Sequence, residues 1–229
     1  MAPAKRTGDD LSSSDQRISA LFLRGSRAGA ALLVLLGLVV LAGWAFDLTI
    51  LTQVSSSFAS MKANTALSFM LLGGACWFSP EHAPSKPRRW LSLAVIAIAA
   101  ATGLQYLLGV DFGIDQLLFR GDASDASDAL PGRMAPVTAF NFFVLGLAAL
   151  AVDAPQRFAL GAPILLAAVS SFLALLGYLY GTSSLYSIAG YTAMALHTTI
   201  GFLVACFSLL AARPSRQPVA VIASATGAG

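Results

Sequence analysis

Charged side chains are scarce in this chain. Asp, Glu, Lys and Arg make up 11% of its 229 residues, while 57% are hydrophobic. A soluble domain carries about 25% charge, so the deficit excludes an ordinary soluble globule and places the chain in the membrane class. Cysteine is nearly absent as well. Cys76 and Cys206 form no CxxC and no zinc spacing, and both fall inside apolar runs, where a free thiol packs as a small hydrophobe. Histidine occurs twice, at His82 and His197. On the topology derived below the two lie roughly a bilayer apart, which excludes bis-His haem ligation.

Other absences narrow the function. No Ser/His/Asp constellation is evident, and "GTSSLYSIAGYTAMA" has Gly and Ser but lacks the Lys of a phosphate-binding loop. The apolar segments lack the charged side chains of a proton pump or coupled transporter. The net charge is +3, yet the Lys and Arg sit in short flanks between apolar runs, not in a basic stripe interleaved with aromatics, so nucleic acid is not an expected partner. Residues 1–19 are polar, unlike a cleavable signal peptide. Neither an enzyme nor a cofactor is expected.

What is present is six apolar segments, at residues 26–46, 63–78, 90–110, 137–152, 158–180 and 194–212. A span needs about 20 apolar residues, and in lipid every backbone group must be satisfied internally, so helices are the expected form. The second and fourth segments are short, and span only if their polar starts are buried against other helices. Eleven of the fourteen Lys and Arg fall on one side: Lys5, Arg6, Arg17, Arg24, Arg27, Lys86, Arg88, Arg89, Arg157, Arg213 and Arg216. Lys62, Arg120 and Arg133 fall on the other. The positive-inside rule then puts both termini in the cytoplasm. The expected organisation is a disordered cytoplasmic tail over 1–25, a six-helix transmembrane domain over 26–212, and a short cytoplasmic tail over 213–229. The acidic connection over 111–133 lies outside, with a mobile tip.

A motif recurs within this frame. Met61, Thr65 and Phe69 stand four apart, as do Met134, Thr138 and Phe142, and again Met194, Thr198 and Phe202. Gly73 and Gly146 continue the first two runs, and Cys206 stands in for the third. Before each run a long segment ends in Gly and an aromatic: Gly43-Trp44, Gly103 with Tyr106, Gly177-Tyr178. The unit is therefore a helical hairpin written three times, and the fold class is an all-α polytopic membrane protein of three pseudo-repeated hairpins. A four-residue spacing keeps the stripe near one helix face. The plain role of Met, Phe and Gly is packing, since membrane interfaces favour such residues. Thr65, Thr138 and Thr198, with Asn64, Asn141 and His197 near them and Asp115 in the outer loop, are the candidate ligand-binding residues. Polar groups at this depth face a bundle interior or a wet cavity. Met61, Met134 and Met194 are expected at one level with His197 beside the last. Thioethers suit Cu(I), but Met is also a gap filler, and nothing in the pattern requires a metal.

"GIDQLLF" (residues 113–119), "GRMAPVTA" (residues 132–139) and "MALHTTIGFLVACFSLLAARPSR" (residues 194–216) together resemble the N-terminal multi-helix membrane module of bacterial sensor histidine kinases, often hybrid and PAS-containing, and of some diguanylate cyclases. The similarity runs over most of residues 28–216, and the residues carrying it are Gly113, Asp115, Leu117, Phe119, Gly132, Met134, Pro136, Thr138 and His197. The resemblance implies a sensory or anchoring module in the bacterial inner membrane, multi-pass, working with a cytoplasmic signalling output domain. Such modules continue into PAS, dimerisation and ATP-binding domains. Here "SRQPVAVIASATGAG" follows instead, so no kinase core is expected within this chain. The lipid bilayer is the first partner, and a homo-oligomer is compatible with the pattern. Two rivals remain open: an accessory transmembrane subunit of a larger membrane complex, and a small-molecule carrier. Hairpins repeated in one direction do not match the inverted repeats common in carriers.

Overall fold

A computed structural model of the chain describes residues 8–55, 58–80, 85–119, 130–153, 158–182 and 193–213. They form helices α1 (Gly8–Ala45), α2 (Thr49–Thr52), α3 (Ala63–Trp77), α4 (Lys86–Leu108), α5 (Pro136–Leu150), α6 (Phe158–Tyr180) and α7 (Leu196–Ala211), with a 3-10 turn at Ala151–Asp153. No strand occurs among the described residues. The expected all-α class is therefore what the chain adopts. Among the described residues four segments are long and apolar enough to cross a membrane: Arg17–Ala45, Lys86–Leu108, Pro136–Asp153 and Leu160–Tyr180. Helix α7 is apolar but shorter, and α3 has 15 residues, about 22 Å at the rise of an α-helix.

Helix α1 begins inside the stretch expected to be a disordered tail. Ile18 and Phe22 are half-buried and carry the apolar face back toward the N-terminus. Residues 1–7 and 214–229 lie outside the described residues, as do His82 and residues 120–129 of the acidic connection.

The helices sort into two layers. α3, α5 and α7 each touch the other two and form the centre. α1 packs against α3 and α7, α4 against α3 and α5, and α6 against α5 and α7. Burial follows this order: in the apolar 18-residue stretches of α1, α4 and α6, 33%, 28% and 33% of the residues are buried, against 56% in that of α5. The peripheral helices turn Leu35, Leu107, Leu166 and Phe172 outward, the pattern of a lipid-facing surface.

The four-residue stripe explains the packing. Each step of four turns the side chain about 40° past a full circle. Met, Thr and Phe therefore stay near the centre, while the fourth residue has swung toward a peripheral helix. A Cβ added at Gly73 would meet Ala30 O and Val34 Cγ2 of α1 at 2.9 Å, and one at Gly146 would meet Ile96 Cγ1 of α4 at 2.7 Å. Cys206 sits at the same step, and its thiol donates to Ile164 O of α6 at 3.6 Å. In each case the small residue admits the peripheral helix that immediately precedes it in the chain. The stripe's third member closes the centre. Phe69, Phe142 and Phe202 are fully buried, with ring centroids 4.8 Å (Phe69–Phe142), 5.0 Å (Phe69–Phe202) and 4.7 Å (Phe142–Phe202) apart. Leu72, Leu145 and Ala205 continue the buried centre one turn beyond them.

Candidate functional site

The three stripe methionines lie at one end of the bundle, and one contact recurs at all three. Trp44 Nε1 donates to Met61 O at 2.9 Å, Tyr106 OH to Met134 O at 3.0 Å, and Tyr178 OH to Met194 O at 2.7 Å. The aromatic that ends each long helix thus pins the chain as it enters the next central helix. Connections reach across to lock these aromatics: Phe119 stacks on Trp44 with centroids 6.4 Å apart, Phe58 meets Tyr178 edge-on at 4.9 Å, and the Arg133 guanidinium lies 5.4 Å from the Tyr106 ring centroid. Tyr106→Phe and Tyr178→Phe each deprive a carbonyl of its donor. Each is expected to cost about 1 kcal/mol, read as a lowered unfolding midpoint of the purified chain.

Turning the methionine carbonyls toward the aromatics leaves a space between the first turns of α3, α5 and α7. It is lined by Thr65, Thr138 and Thr198, with Ser60, Met61, Lys62, Met134, Ala135, Ala193 and Ala195. The three threonines are 2%, 2% and 1% exposed, so none faces lipid. Thr198 Oγ1 is buried and has no hydrogen-bond partner among the described residues. Lys62 is buried too, and its Nζ donates to Ser60 Oγ at 3.1 Å. The residues preceding the three helices, Lys62, Ala135 and Ala195, give no side-chain cap. The space is partly open, and its volume of about 10 Å³ leaves room for about one water molecule.

The other candidates go elsewhere. Asn141, one turn deeper than Thr138, is fully buried against α6: its Nδ2 donates to Ser171 Oγ at 3.2 Å, and Ser170 Oγ donates to its Oδ1 at 2.7 Å. It is a bond between helices and does not line the space. Asn64 and His197 also lie off the lining. Both amide atoms of Asn64 and both ring nitrogens of His197 are buried with no partner among the described residues.

Asp115 is held by a staple. Arg133 Nε donates to its Oδ2 at 2.7 Å and Gln105 Nε2 to the same oxygen at 2.8 Å, all three side chains being buried. Gln105 Oε1 accepts from Phe112 N at 2.9 Å, and Arg133 also reaches Asp111 at 3.5 Å. Gly132 makes the staple possible. Its φ is +77°, and a Cβ there would lie 2.6 Å from Asp115 O. Gly132→Ala is expected to cost more than about 1 kcal/mol, whereas Gly109→Ala, with φ +65° but open space around it, costs less. Thermal unfolding of both variants checks the order.

A second charged cluster at the opposite end was missed by sequence reasoning. Arg88 is fully buried at the start of α4 and bonds Asp153 Oδ2, while Arg213 Nη2 reaches Asp153 Oδ1 at 2.7 Å. One carboxylate thereby ties α4, the end of α5 and the end of α7 together. The available signal was that all three charges stand at helix ends assigned to one membrane face. Ser170 and Ser171 were also missed, although adjacent hydroxyls inside an apolar helix mark a polar partner nearby.

No protein-family model, no curated protein and no solved structure matches the chain.

Proposed function

We propose that the chain is a membrane-embedded sensory module of bacterial signal transduction. It crosses the inner membrane six times as three repeated hairpins, with both termini cytoplasmic and the methionine end facing out. The observation that carries this reading is the meeting of Thr65, Thr138 and Thr198, far apart in sequence, around one buried space. A bundle built only to anchor gains nothing from hydroxyls at its centre, because polar groups there are costly. The strong bias of Lys and Arg toward one face supports the orientation, and the four long apolar helices support the membrane setting.

The mechanism follows from what the threonines rest on. The Phe69–Phe142–Phe202 contact lies one turn below them and joins all three central helices. Occupancy of the space changes the spacing of the first turns. Close-packed rings transmit that change as a relative shift of α3, α5 and α7. At the cytoplasmic end α7 is tied to α4 and α5 through Asp153, so its exit toward an output domain responds to the centre. Ligand and output share a coupling free energy, which requires two packings that the ligand distinguishes.

A fusion tests this. Residues 1–213 are joined to a dimeric histidine-kinase core, and autophosphorylation is measured in membranes. Thr65→Val, Thr138→Val and Thr198→Val are expected to shift the rate several-fold, in either direction. Rates unchanged by all three, in variants that insert and fold normally, contradict the sensory reading.

A further inference from the structure

The space between the threonines has the chemistry of an anion site. Three helices, of 15, 15 and 16 residues, open toward it, and each presents the positive end of its dipole. The N-cap residues Lys62, Ala135 and Ala195 make no side-chain cap bond, so the first-turn N–H groups are not occupied from that source, and α5, which opens with Pro136, offers one N–H fewer than the others. Among the described residues the lining includes no Asp or Glu, and the buried Lys62, whose Nζ donates to Ser60 Oγ, belongs to it. The carbonyls of Met61, Met134 and Met194, which would repel an anion, are engaged by Trp44, Tyr106 and Tyr178. Independently of the helix ends, Thr198 Oγ1 is buried, without a partner among the described residues, and part of the lining. A hydroxyl in that position is short of a partner, and an anion accepts its proton.

Size selects among anions. A space near 10 Å³ is about that of a single water. Phosphate, sulfate and carboxylates bring several heavy atoms, and these do not all fit between the threonines without separating α3, α5 and α7. A monatomic ion does, with small outward movement of the side chains. From this we infer that the first turns of α3, α5 and α7 bind one halide ion, chloride in the cell, coordinated by the Thr65, Thr138 and Thr198 hydroxyls beside Lys62. This inference deepens the sensory reading by naming its ligand class, and rests on that reading only for what occupancy means; binding itself is measured separately from output.

The test uses the full chain in detergent micelles or nanodiscs. It is exchanged into sodium gluconate, then titrated with sodium chloride or bromide at constant ionic strength. The unfolding midpoint is expected to rise by about 5–10 °C at a hundredfold excess over the dissociation constant, and to saturate. Thr198→Val is expected to abolish the rise while leaving the midpoint in gluconate near that of the unaltered chain, and Thr198→Ser to retain it. No rise with either halide, an equal rise in Thr198→Val, or an equal rise with sulfate overturns the inference. Should Thr198→Val fail to fold, bromide anomalous scattering from crystals of the unaltered chain decides. A peak between the three threonines supports the site, and its absence overturns it. A chain that binds halide while the fused kinase ignores every threonine substitution keeps the site and loses the receptor. A chain that binds none while the kinase responds keeps the receptor and loses the halide.

Discussion

Asp153→Asn is expected to lower the unfolding free energy of the purified chain by about 3–5 kcal/mol. The cause is what remains after the substitution. Arg88 is 1% exposed, and its Nε and Nη1 already lack partners among the described residues. Removing the carboxylate's charge leaves a buried guanidinium without its counter-ion, and breaking such a pair costs far more than forming it gains. Two comparisons isolate that cause. Arg213→Ala removes only the more exposed arm and is expected to cost about 1 kcal/mol. Arg88→Met combined with Asp153→Asn removes both charges and is expected to cost less than Asp153→Asn alone, because no unpaired charge is left inside. Equilibrium unfolding in mixed micelles gives all three values. A double variant less stable than Asp153→Asn contradicts the assignment.

Phe142→Ala is expected to cost about 3 kcal/mol, the lower end of the range for truncating a buried aromatic. Burial in lipid surroundings gains little from leaving water, so the loss is chiefly packing. Phe142 touches both other rings, at 4.8 and 4.7 Å, and its removal opens a cavity shared by all three central helices. Phe140 and Phe143, on the same helix but exposed to the surroundings, are expected to cost well under 1 kcal/mol each on truncation. The contrast between neighbours of identical type separates the central contact from general hydrophobicity. A loss at Phe140 equal to that at Phe142 counts against the packing described here.

The sequence carried the helices and the stripe because both follow from local rules. Apolar length and backbone satisfaction in lipid leave no alternative to helices, and a four-residue spacing places Met, Thr and Phe on one face whatever lies opposite. The aromatic endings were legible for the same reason: Trp44, Tyr106 and Tyr178 recur at matching places in the chain. Their bonds to the methionine carbonyls were not, since a hydrogen bond between a side chain and a distant backbone leaves no periodic trace. Asn141 shows the limit most clearly. Its position near Thr138 suggested a shared pocket, but its partners, Ser170 and Ser171, belong to a helix whose register against α5 is set by tertiary packing. Asp115 is visible as a motif member, but its bond to Arg133 is not, because their closeness depends on the left-handed turn at Gly132. Arg88, Asp153 and Arg213 lie far apart in the chain, and only the assembled bundle brings them together.

The central claim is that Thr65, Thr138 and Thr198 surround one space. Crosslinking tests it most directly, in a background with Cys76→Ala and Cys206→Ala. The pairs Thr65→Cys/Thr138→Cys, Thr138→Cys/Thr198→Cys and Thr65→Cys/Thr198→Cys are treated in membranes with a bifunctional thiol reagent of about 5 Å span. All three pairs are expected to crosslink within one chain, while Phe140→Cys paired with Thr198→Cys does not. Failure of any threonine pair to crosslink, with both thiols shown to react singly, contradicts the account.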